Sequence, residues 1–148
     1  MNGKIMFGIL IFAAVSKLCF AQSAEKIEEI INSQFLSKGQ ACYLIGTATG
    51  KLSDSAHYRA AFDAYSGLKM FKNASADETI SLAEFSNLVL LSSEQKGGLW
   101  CRISNSPYYA LRHFKLKGLV KRNAVGSTAV TPIEAFGILS KIEIKQSE

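Results

Sequence analysis

The segment Ile80-Ser81-Leu82-Ala83-Glu84-Phe85-Ser86-Asn87-Leu88 contains the full chemistry of a helix start. A serine oxygen accepts from the backbone N–H three residues on, and a glutamate at that third position accepts the serine's own N–H. Two of the donors that a helix leaves orphaned at its beginning are thereby satisfied. Ile80 before the cap and Phe85 at the fourth helical position make a hydrophobic staple. The same arrangement recurs in Leu36-Ser37-Lys38-Gly39-Gln40-Ala41-Cys42-Tyr43-Leu44 and in Val130-Thr131-Pro132-Ile133-Glu134-Ala135-Phe136-Gly137-Ile138. In the latter, Pro132 stands at the first helical position, where its missing N–H is harmless. The caps Ser37, Ser81 and Thr131, with their partners Gln40, Glu84 and Glu134, predict three helix starts.

Working outward, Tyr58 to Gly67-Leu68 reads like Tyr109 to Gly118-Leu119, and each stretch is followed by a polar loop and a capping box. The unit is helix, glycine stop, apolar residue, loop, capped helix. Gly67 and Gly118 are expected to end their helices in the left-handed conformation that glycine tolerates. Asp54 or Ser53 is the expected cap of the earlier helix, and Ser106 with Pro107 opens the later one. Upstream, Ile27, Ile30, Ile31 and Phe35 make an apolar helix face opposite Glu25, Glu28 and Glu29. The pattern predicts helices near Ala24–Phe35, Lys38–Thr49, Ser55–Ser66, Leu82–Lys96, Pro107–Lys117 and Pro132–Ile142. The connector from Gly97 to Ser104 supplies Leu99, Trp100 and Ile103 as core candidates. The fold class is all-α, with repeats near residues 24–49, 53–96 and 106–142.

Residues 1–21 read as a cleaved secretory signal: Lys4 at the cationic start, an apolar run from Ile5 to Val15, and Cys19-Phe20-Ala21 at the cleavage point. The run of roughly 11 residues is too short to span a bilayer as a helix. A lipoprotein acylated at Cys19 is the alternative. Loss of Lys4 and Lys17 lowers the net charge from +5 to about +3. Residues 22–148 are enough for one domain with a core, and no Pro/Gly/Ser-rich linker divides them. Export leaves Cys42 and Cys101 in an oxidising compartment, as a disulfide candidate or as buried free thiols.

The combination of a Tyr-bearing helix, a glycine, a polar loop and then [Ser/Thr]-x-x-Glu-Phe resembles the S-layer homology (SLH) domain. It covers Ser53 to Leu91 and Ser106 to Ile142, and of Ser37 to Thr49 the second helix alone. The layout is also similar to that of small exported proteins of spirochaetes. The resemblance implies a compact bundle of three helix–loop–helix repeats around a pseudo-threefold axis, holding an exported protein to cell-wall polysaccharide through sites between repeats. Family members rely on a basic residue directly after the Thr of each box. Those positions are Lys38, Leu82 and Pro132 here, so one cation of three is present.

No acidic residue occurs between Gln95 and Ile133, whereas Arg102, Arg112, Lys115, Lys117, Lys121 and Arg122 do, with Tyr108, Tyr109 and His113 among them. One reading is a surface for anionic glycan or lipid head groups, with tyrosines stacking on sugar. The other is a solvated helix face with its aromatics turned inward. The ligand-binding candidates are Lys38, Arg102, Tyr108, Tyr109, Arg112, Lys115, Lys121 and Arg122. The expected partner is cell-wall glycan or another envelope protein, without nucleic acid, cofactor, metal or a membrane span after signal cleavage.

Two other chemistries compete. Asn73, Ser75, Asp77, Thr79, Ser81 and Glu84 fall at the ligand positions of a calcium-binding EF-hand loop. Glu78, however, occupies the place of the glycine that makes that loop's sharp turn, so Glu84 reads as a capping residue. A thiol-dependent wall hydrolase would pair Cys42 or Cys101 with His57 or His113. Their apolar neighbours instead predict inert, raised-pKa thiols. No Gly-x-Ser-x-Gly, His-Glu-x-x-His or phosphate-cradling loop is present, and the expectation is a non-enzymatic binding or scaffolding module.

Overall fold

The computed structural model describes residues 23–92 and 106–142. Among these the chain is helical, with β pairing confined to isolated bridges of Ser37 with Thr79 and Ser81 with Ala129. The helices are α1 (residues 23–32), α2 (Lys38–Ala48), α3 (Tyr58–Tyr65), α4 (Leu82–Ser92), α5 (Pro107–Leu116) and α6 (Pro132–Leu139). A 3-10 turn, Lys69–Phe71, follows α3. The signal segment, the 97–104 connector and the end of the fourth expected helix lie outside the described residues.

All three capping boxes form. Ser37 Oγ accepts from the Gln40 N–H at 3.1 Å and Gln40 Oε1 accepts from the Ser37 N–H at 3.0 Å. Glu84 Oε2 takes the Ser81 N–H at 2.9 Å, and Glu134 Oε2 takes the Thr131 N–H at 3.1 Å. The remaining early donors find partners in neighbouring loops. Lys38 and Gly39 N–H bond to the carbonyls of Glu78 and Ala76, both at 2.8 Å; Leu82 and Ala83 N–H bond to Thr128 and Gly126 at 2.8 and 3.0 Å. Donors that would otherwise be buried unpaired at the starts of α2 and α4 are thus satisfied.

The residues before the caps close a ring. Leu36 N–H donates to Val130 O (2.8 Å), Val130 N–H to Ile80 O (3.1 Å), and Ile80 N–H to Leu36 O (3.0 Å). All three side chains are fully buried. Around this ring the core gathers α2, which packs along α3, and α4, which packs along α5. The capped helices α2 and α4 thus each pack on the helix that follows in the chain. From Lys38 to Gly46 every residue of α2 is buried, as befits a helix surrounded by others. Tyr43, Phe85 and Phe114 are the largest fully buried side chains, each contributing about 1.5–3 kcal/mol by burial.

Several boundaries differ from the sequence expectation, and tertiary bonds are the reason. α1 stops at residue 32, where Ser33 Oγ and N–H both bond to Ile30 O. Ile31 and Phe35 are then exposed, and Leu36 takes the core position. α3 opens at Tyr58 after His57, capped by neither Ser53 nor Asp54. Tyr43 Oη donates to Asp54 O at 2.9 Å and Lys26 Nζ to Ala56 O at 2.9 Å, which holds that backbone outside the helix. Ser106 stands at the N-cap of α5 without a side-chain cap bond.

The glycine stops divide likewise. Gly118 has φ +71°, with Leu119 N–H on Phe114 O and Gly118 N–H on Lys115 O, the two bonds of a Schellman cap. The same pair of bonds, from Lys51 and Gly50, ends α2 at Gly50, φ +69°. Gly67 is not left-handed; Ser66 Oγ bonds to Asp63 O and the chain runs on into the 3-10 turn.

Candidate anion-binding cavity

The end of α5, the loop after it and α6 enclose an open cavity of about 500 Å³, within the range of small-molecule sites. Its wall is aliphatic: Leu82, Leu116, Leu119, Val120, Ala124 and Ile138. Lys115 from α5, Lys121 and Arg122 from the loop, and Lys141 just past α6 supply its cations. Among the described residues none of the four makes an ion pair. The one lining carboxylate, Glu134, is engaged in the α6 capping box. The arrangement can neutralise an anion at its rim and bury apolar surface beneath it.

The Schellman cap at Gly118 reverses the chain so that Lys121 and Arg122 come back beside Lys115. On α6, Glu134, Gly137 and Ile138 share one helix face, and Lys141 follows in the turn just past it, its N–H on Ile138 O at 3.2 Å. Lys141 was not anticipated from the acid-free segment. Its place three residues after Ile138 and seven after Glu134, in the helix expected over Pro132–Ile142, is the signal that would have found it.

The cavity is open because of what the corresponding positions hold elsewhere in the chain. The loops after α3 and α5 end in the same turns: Ala74 N–H bonds to Phe71 O and Glu78 N–H to Ser75 O, matching Ala124 to Lys121 and Thr128 to Val125. The 3-10 turn takes up the one extra residue of the earlier loop. Phe71, 2% exposed and packed on Phe62, therefore corresponds to Lys121, which is exposed. Asn87, 2% exposed with Nδ2 on Met70 Sδ, corresponds to Gly137. A Cβ added at Gly137 would meet nothing within 4 Å. Lys38 corresponds to Leu82. Large side chains fill the earlier junction, and smaller or outward-turned ones leave the later junction empty.

The other expected site residues are placed differently. Lys38 is not an exposed cation: its side chain is 9% exposed, with Nζ 2.8 Å from Glu78 Oε2 and 3.6 Å from Glu84 Oε1, tying α2 to α4. Its hydrogen bond, followed by that of the Ser75 N–H, holds the Glu78 carboxyl below its usual range. Arg112 is exposed but does not line the cavity. Tyr108 and Tyr109 stack edge to face at 5.3 Å in the first turn of α5, two turns from Lys115. Tyr108 is exposed and Tyr109 packs against the core, so no tyrosine face borders the rim. Arg102 lies outside the described residues.

Cys42 is a free thiol, fully buried, and burial pushes its pKa up to about 12. Cys101, its candidate disulfide partner, is outside the described residues. Of the calcium-loop residues, Glu84 is committed to Ser81 and Lys38, and no group of three His, Cys, Asp or Glu occurs among the described residues. No described helix is long and apolar enough to cross a membrane. Compared with known proteins, the chain matches no family model, no curated sequence and no solved structure.

Proposed function

We propose that this chain is a non-enzymatic exported envelope protein, an SLH-like module of three helix–loop–helix repeats that binds an anionic envelope component at the α5–α6 cavity. The observation that carries the binding reading is the set of four cations without ion pairs around an aliphatic hollow. A merely solvated helix face packs its apolar side inward and leaves no such hollow between its lysines. The repeat reading is supported by the ring of Leu36, Ile80 and Val130, whose members each precede a capping box. Export is supported by the pattern of residues 1–21. A non-catalytic role is favoured by the buried Cys42 thiol, the reverse of the exposed, low-pKa state a nucleophile needs.

Retention of the mature protein on isolated envelope fractions tests the proposal. Binding should be strong at low salt and weaken as the screening length falls to about 10 Å near 0.1 M. Lys121→Glu with Lys141→Glu should abolish retention without lowering the unfolding midpoint. Arg112→Glu with Lys117→Glu, an equal charge change at exposed positions outside the cavity, should leave retention in place. Equal loss in both variants would indicate general basicity and remove the cavity as the site.

A further inference from the structure

We infer that the occupant of this cavity is a long-chain aliphatic anion of the fatty-acid or alkyl-phosphate class, its head on the cationic rim and its chain against the leucines. The inference rests on the reading of the cavity as the binding site and names the ligand class. The lining contains no aromatic ring and no Ser, Thr, Asn, Gln or Tyr side chain. A sugar would find no face to stack on and few partners for its hydroxyls, and unpaired hydroxyls are costly to bury. A saturated chain has neither need. It would also cover Leu116, which is 77% exposed at the cavity's edge. Charge complementarity fixes the other end: four unpaired cations face one carboxylate already held in a cap.

Two features of the wall make the proposal testable without harming the fold. Gly137 lines the hollow and has open space around its added Cβ, so Gly137→Phe adds a ring at the wall without a clash at its base. Leu116 is exposed, so Leu116→Glu alters the wall from outside the core.

The experiment is calorimetric titration of the mature chain with octyl, decyl and dodecyl phosphate, each kept monomeric. Inorganic phosphate, a neutral dodecyl glucoside, an acidic oligosaccharide and anionic phospholipid vesicles are the comparison arms. Affinity should rise about fourfold per added methylene. Inorganic phosphate should bind at least 100-fold more weakly than the dodecyl compound, and the neutral glucoside at least 10-fold more weakly. Gly137→Phe and Leu116→Glu should each weaken dodecyl phosphate binding at least 10-fold, with the unfolding midpoint kept. Affinity independent of chain length would overturn the inference, as would binding by the oligosaccharide alone or by vesicles without uptake of monomer. The envelope-retention assay separates the two claims. Charge-sensitive retention without alkyl-phosphate binding sinks the ligand class alone, whereas alkyl-phosphate binding with charge-insensitive retention sinks the proposed function alone.

Discussion

Gly67 and Gly118 occupy matching places after α3 and α5, yet only Gly118 has a positive φ. Gly118→Ala should therefore destabilise the protein by about 1–2 kcal/mol, the cost of a left-handed L-residue. Gly67→Ala, with nothing within 4 Å of its Cβ, should be neutral or stabilise by up to about 1 kcal/mol. Urea unfolding of the two variants measures the contrast. The sequence pattern treated both glycines alike, because a glycine before a leucine reads the same whether the next residues close a Schellman cap or enter a 3-10 turn. At Ser81 the pattern and the structure agree, and Ser81→Ala should cost about 1 kcal/mol. His113 offers a pH signature. Burial, and then Lys117, lower its pKa below the ordinary 6.5. The native state thus binds fewer protons than the unfolded state once pH falls below that value. Stability contributed by neutral His113 is present above about pH 6.5 and is lost as pH falls through the lowered pKa. His113→Gln should flatten this part of the stability–pH curve.

At the scale of elements, helix starts with a complete capping box were legible, as was that of α5 at Pro107, and the start of α3 was not. A box carries its own donors and acceptors, so α2, α4 and α6 begin where Ser37, Ser81 and Thr131 place them. α3 instead begins where Tyr43 and Lys26, residues from other helices, release the backbone of residues 54–56. No local pattern contains that information. The link between α2 and α4 is of the same kind: Lys38 stands directly after its cap, where a ligand-facing cation was expected, but is held by Glu78 and Glu84 across the junction. Glu78's carboxyl is depressed from 4.5 by this contact. The stability it gives is present above that pH and is lost as pH falls through the lowered value. Lys38→Met should reduce this acid-side loss to the part owed to the Ser75 N–H, and acid titration followed by circular dichroism would detect the change.

For the molecule as a whole, the ring of Leu36, Ile80 and Val130 joins three segments distant in sequence through backbone atoms, and binary patterning sees it only as three buried apolar residues. Its amides should exchange with solvent only through global unfolding, more slowly than those of the α3 C-terminus. The cavity was half legible. Lys115, Lys121 and Arg122 stood out as cations without acidic neighbours, but their meeting depends on the Gly118 cap, and Lys141 joins them from the turn just past α6. The hollow itself comes from exchanges between matching positions: Phe71 against Lys121, and Asn87 against Gly137.

That last comparison yields the most direct test of the account. Lys121→Phe combined with Gly137→Asn gives the later junction the side chains that fill the earlier one. Retention of this double variant on envelope fractions at low salt, measured beside its unfolding midpoint, is the decisive quantity. The account predicts an equal or higher midpoint with retention lost; retention at the level of the unaltered protein, with that midpoint, would contradict it.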